Sequence, residues 1–227
     1  MSAAGESQQV HEPRGGASEP PFDRVTSSLA ICVVGPLLFI VVYTVLGALR
    51  PGYSAWRQAV SDLGLGPNAW ILNSSGLVCA ALMIASVGAF SRRLRGDVSG
   101  VLRSISSFLL VLPPIGLAAA SIFTEARATV RIHWLLGGTL LFRGPALAFV
   151  FSGLVLCGSP RWRKWGIASL IAGLGEFAMW SAFSRNSPLA PLHLGLGVTE
   201  RAVVIWILGW YVLGSLQLVR STNDRAA

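Results

Sequence analysis

Residues 53–73, YSAWRQAVSDLGLGPNAWILN, stand between two long apolar runs and hold Asp62, Asn68 and Asn73 among glycines and tryptophans. The stretch is too polar to cross a bilayer and too apolar to be a solvated loop. A segment of this kind is expected to fold over the mouth of a helical bundle in a membrane. The rest of the chain supplies such a bundle.

Of 227 residues, 53% are hydrophobic and only 12% charged, against about 25% charged in soluble domains. Mean hydropathy is +0.62. The apolar residues fall in runs of about 20, the length that crosses roughly 30 Å of hydrocarbon as helix. A closed barrel would need alternating segments of about ten residues, which the sequence lacks, so helices are the spanning structure left. The fold class is all-α: a polytopic membrane protein with a bundle of six transmembrane helices.

The pattern places spans at residues 26–49, 69–90, 101–124, 130–157, 165–183 and 199–219. Pro36 lies in the first, and Pro113-Pro114 in the third is expected to bend or unwind it. Thr199 is a candidate N-cap for the sixth. Residues 1–25 and 221–227 are polar tails, the first rich in Gly, Pro and Ser, for which disorder is the expectation.

The formal charge of +8 does not imply nucleic acid, because the basic residues cap apolar runs and no nucleic-acid motif is present. Arg92, Arg93, Arg95, Arg161, Arg163 and Lys164 crowd two short loops on the side that also holds both termini. By the positive-inside rule that side is cytoplasmic in the cell membrane. The Tyr53–Asn73 stretch and the loop containing His193 then face outward. Cys32, Cys79 and Cys157 lie in or beside apolar runs with no metal or redox spacing and read as small core residues.

Ionisable groups inside a bilayer are candidates for function. Arg143, about ten residues into the fourth span, and Glu176, in the fifth, are placed to form an ion pair, either structural or part of a relay. His133, at the outer end of the fourth span, is either a polar anchor or a catalytic group. Glu200 complements a helix dipole or lines a pocket with His133 and Asp62, and Arg201 reaches headgroups or the same pocket. Asp62 either caps a short interfacial helix or is an active carboxylate. The expected ligand-binding set is Asp62, Asn68, Asn73, His133, Glu200 and Arg201. No nucleophile elbow, zinc-protease, Walker or haem motif is present, and no metal or cofactor is expected.

The order of Ser61-Asp62-Leu63-Gly64, Asn68-Ala69-Trp70, Asn73-Ser74-Ser75-Gly76, His133 and Gly197-Val198-Thr199-Glu200-Arg201 resembles the prokaryotic domain-of-unknown-function 998 family of six-span proteins. The likeness runs from residue 28 to 220. In that family the first motif reads nearer SELG, so Asp62 stands one methylene short, and an acid after the third span corresponds to Glu125. The resemblance implies no activity. The pattern after the first span is more distantly similar to the Frag1/DRAM/Sfk1 membrane family, linked to lipid remodelling and lipid asymmetry. Membrane lipids are the expected partners. Binding of a lipid, isoprenoid or other amphiphile in an outward-facing cavity is the first expectation. An acid/base enzyme on such a substrate, for example a cyclase, and a structural membrane subunit are the alternatives.

Overall fold

The computed structural model describes residues 24–183 and 195–226, with side chains described over 32–181 and 195–220. The polar tail up to residue 23, Arg185 and His193 lie outside the described residues. So do the side chains beyond residue 220.

Among the described residues the elements are helical throughout. They are α1 (Arg24–Leu49), a 3-10 turn (Ser61–Gly64), α2 (Ala69–Arg93) and α3 (Gly100–Ile122). The fourth helical run follows in pieces: α4 (Val130–Ile132), a π-helical turn (His133–Gly138), α5 (Thr139–Phe142) and α6 (Gly144–Cys157). α7 (Arg163–Phe183) and α8 (Leu196–Ala226) complete the set. Five stretches, Cys32–Leu49, Ala69–Arg93, Gly100–Ile122, Val130–Cys157 and Leu196–Arg220, are long and apolar enough to cross a membrane. α7 is a sixth long helix packed between α6 and α8. The protein is an all-α polytopic membrane protein.

Successive helices touch round a closed ring. α1 meets α2, α2 meets α3, α3 meets α6, α6 meets α7, α7 meets α8, and α8 returns to α1. The interior holds Phe39, Tyr43, Met83, Leu110, Phe149, Ile207 and Tyr211, with Phe149 stacked on Trp210 at 4.3 Å between ring centres. Val34, Val41, Leu147, Leu154, Leu174 and Leu213 point outward and are exposed. That apolar exterior suits hydrocarbon rather than water.

α3 runs through Pro113-Pro114 without unwinding. Each proline removes an amide that would bond the carbonyl four residues earlier, here Leu109 and Leu110. Tyr211 of α8 donates its hydroxyl to the Leu110 carbonyl at 2.6 Å, which replaces one lost bond and keeps the helix regular. Tyr211→Phe removes this donor and leaves a buried carbonyl unpaired, at a cost of about 1–3 kcal/mol. A lower thermal midpoint in detergent is the expected reading, and an unchanged midpoint refutes it.

At one end of the bundle Trp162 donates its indole N–H to Asp97 at 2.8 Å, and Arg161 lies 3.6 Å from the same carboxylate. This ties together the two basic loops. The other end carries the candidate site.

Candidate functional site

The connection Tyr53–Asn68 is braced from within. Tyr53 donates its hydroxyl to the Ala59 carbonyl at 2.7 Å, and the Gln58 side chain accepts the Ser54 amide at 2.7 Å. Asp62 accepts the Ala59 amide at 3.0 Å, while Arg50 holds the Asp62 and Leu65 carbonyls at 2.7 and 3.1 Å. Asn73 of α2 donates to the Gly64 carbonyl at 3.3 Å. Asn68 takes a left-handed φ of 62° just before α2, a conformation that Asn tolerates better than most residues. Burial pushes the Tyr53 phenol up from its ordinary pKa, against the nearby Arg201, so it stays a neutral donor.

α8 latches this connection as a lid. Residues adjacent on a helix point about 100° apart, so Glu200 and Arg201 reach different parts of it. Glu200 accepts the Val60 amide at 3.0 Å. Arg201 donates to the carbonyls of Ala55, Gln58 and Gly197 at 2.8, 3.0 and 2.9 Å, and also to the Tyr53 hydroxyl. Its guanidinium lies over the rings of Tyr43 and Tyr53, at 5.8 and 5.6 Å. A Cβ at Gly197 would collide with the Gln58 and Ala55 carbonyls, so only glycine lets the lid backbone lie on α8. The helix begins at Leu196, which places Thr199 inside it rather than at its cap. The Val198 amide, one of the orphan donors of that first turn, goes to the Trp56 carbonyl at 3.3 Å.

Beneath the lid is a chamber of about 50 Å³, lined by Phe39, Val60, Ser61, Asn73, Ser121, Thr124, His133, Phe142 and Glu200, among others. His133 is buried and opens the π-helical turn, a wide turn often found at functional sites. Its Nδ1 lies 2.8 Å from the Phe123 carbonyl. A carbonyl only accepts, so Nδ1 carries a proton. Its Nε2 lies 3.4 Å from Glu125 Oε1, and a second proton must lie between these two groups if they are to bond. The same carboxylate oxygen accepts the Ser61 hydroxyl at 3.0 Å. The arrangement can hold and pass a proton, and it offers acceptors to a polar ligand.

Of the expected ligand-binding set, Asn73, His133 and Glu200 line this chamber. Asp62, Asn68 and Arg201 are not among its lining residues: the first and last bond within the lid assembly, and Asn68 is exposed. Glu125 and Ser61 were not in that set. Their sequence signals were an acid in the turn after the third span and the SDLG motif.

The expected Arg143–Glu176 ion pair is not formed. Arg143 is exposed, its guanidinium 5.3 Å from the centre of the Trp180 ring. Glu176 is fully buried, and among the described residues neither carboxylate oxygen has a hydrogen-bond partner. The reason lies in the fourth span: the π turn upstream takes an extra residue, and the helix is interrupted again at Arg143 itself, so this side chain leaves the regular α register.

The profile of a family described as "Protein of unknown function (DUF998)" matches residues 33–217. No curated protein matches the chain, and no solved structure does.

Proposed function

The chain belongs to the DUF998 family, and from its site we propose that it is a six-span protein of the cell membrane, both termini cytoplasmic, that binds an amphiphile in an outward-facing chamber. One observation carries this. The chamber, apolar over most of its wall but carrying Asn73, His133 and Glu200, shares Phe142 and Glu200 with a second cavity of about 130 Å³, lined also by Trp134, Trp180, Leu196, Thr199 and Val203. A mostly apolar pocket with a few convergent polar groups, beside a tryptophan-edged slot, suits a ligand with a small head and an apolar tail. The chamber is large enough for only a few heavy atoms. The carboxylate of Glu200 in its wall, with Glu125 beside it, favours a head that donates hydrogen bonds.

The test is lipid mass spectrometry on protein purified in native-lipid discs. Wild type is compared with Glu200→Gln and with Ser121→Leu, which fills the chamber without touching the latch. An amphiphile enriched in wild type and reduced about tenfold in both variants supports the reading, tenfold being the effect of one charged hydrogen bond. Equal enrichment in all three defeats it.

The His133–Glu125 contact favours one further reading, acid/base catalysis on the same amphiphile. In that case chemically altered forms accompany the wild type and are absent from His133→Gln.

A further inference from the structure

Three cavities run into one another from the lidded end of the bundle toward its middle. The chamber and the tryptophan-edged slot share Phe142 and Glu200. The slot in turn shares Phe142 and Trp180 with a groove of about 570 Å³ between α6 and α7, walled also by Ala146, Val150 and Gly173. The rings of Phe142 and Trp180 stack at 5.9 Å between centres, so one aromatic pair stands where slot and groove meet. Arg143 is the charged residue of the groove, and its guanidinium lies over the Trp180 ring at 5.3 Å. The other walls are apolar, and the lip of Leu147, Leu174 and Phe177 is exposed on the outside of the bundle.

We propose that the ligand is a single-chain amphiphile whose tail leaves the chamber through the slot and lies in the groove, so that it enters sideways from the membrane. This rests on the chamber reading above and adds the class of ligand and its route. The slot, about 130 Å³, is well below the roughly 300–1,000 Å³ of ordinary ligand pockets, and it passes one chain rather than two. From Trp134 to Leu147 the fourth span descends about 20 Å at the helical rise, a little more than half the roughly 30 Å of hydrocarbon. That is the depth a tail takes when its head stays near the membrane surface. The lid, latched by Glu200 and Arg201, covers the other way in, whereas the groove opens on apolar side chains that suit hydrocarbon.

The probes are octanol and oleyl alcohol, whose hydroxyl is a small donating head on a short or a long chain. Full-length protein in detergent is equilibrated with each, and the alcohol retained per protein is counted by mass spectrometry against protein-free micelles. Leu147→Trp and Leu174→Trp, at exposed positions of the lip, fill the groove without removing a buried contact. Each is expected to lower retention of oleyl alcohol about tenfold, the effect of two methylenes kept out of the groove, and to leave octanol unchanged. Ser121→Leu, inside the chamber, lowers both. If Ser121→Leu lowers both while the lip variants match wild type, the route is overturned and the chamber reading stands. Equal losses of octanol and oleyl alcohol in the lip variants also overturn the route. Wild-type retention no higher than that of the micelles overturns the chamber reading and the route together. A wild-type dimer abolished by Leu174→Trp overturns the route as well, because a second copy would then fill the groove.

Discussion

Arg201→Met releases the Tyr53–Asn68 lid while the helices stay assembled. The guanidinium donates to three lid-side or helix-start carbonyls and to the Tyr53 hydroxyl, and methionine replaces none of these bonds. Charged hydrogen bonds contribute about 1.5–3 kcal/mol each. They share one side chain and do not add fully, so a loss of about 3 kcal/mol in the local opening free energy is a conservative figure. It corresponds to amide exchange about a hundredfold faster at Gln58, Ala59 and Leu63, whose amides are bonded within the lid. Hydrogen exchange read by mass spectrometry measures it directly. Arg57→Met, at an exposed position of the same lid, is the control and leaves exchange unchanged. Equal protection in Arg201→Met and wild type would show that the lid is held by something else.

Gly116→Val is expected to damage the bundle more than any surface change. A Cβ at Gly116 would lie 2.9 Å from the Gly137 carbonyl oxygen and the Leu140 carbonyl carbon, and closer still to the Leu141 amide nitrogen. These are backbone atoms of the fourth span, so no side chain can swing aside. α3 and the fourth span must separate, at a cost of about 3 kcal/mol or more. The expected fall in thermal midpoint is roughly 5–10 °C, with poor accumulation in the membrane. The chamber suffers too, because Gly137 belongs to the turn that His133 opens. Gly209→Ala is the contrast: nothing lies within 4 Å of its added carbon, and a midpoint near wild type is expected.

The helices were legible because spanning a bilayer demands apolar runs of one length, and that demand is written in composition. The lid was legible for the opposite reason, as too polar to span and too apolar to be free. Nearness to the helix ends on one side of the bundle also brought Asn73, His133 and Glu200 into one candidate set. Rotation about a helix axis was not legible. Arg143 stands at a break in the fourth span, downstream of the π turn, and the sequence HWLLGG carries no plain mark of a widened turn. Partners distant in sequence were equally hidden. Thr199 looked like a cap until the Trp56 carbonyl took the Val198 amide, and Pro113-Pro114 looked like a break until Tyr211 supplied a donor. Asp62 and Arg201 were picked for their charge, yet both spend it on backbone groups.

α8 comes after every other spanning helix in the chain, and it brings the Tyr211 hydroxyl, the Glu200–Arg201 latch and the contact that closes the ring onto α1. During translation the earlier helices therefore enter the bilayer as an open arc. They carry the Leu110 carbonyl without its Tyr211 donor, and a lid that Arg50 and Asn73 hold but Arg201 does not yet latch. A nascent chain halted before α8 is an incomplete product in a specific sense, with the unpaired Leu110 carbonyl on the buried face of α3 left open to lipid. The chamber's walls from α1, α2, α3 and the π turn stand before α8 arrives, and Glu200 and Val204 are the pieces that close it.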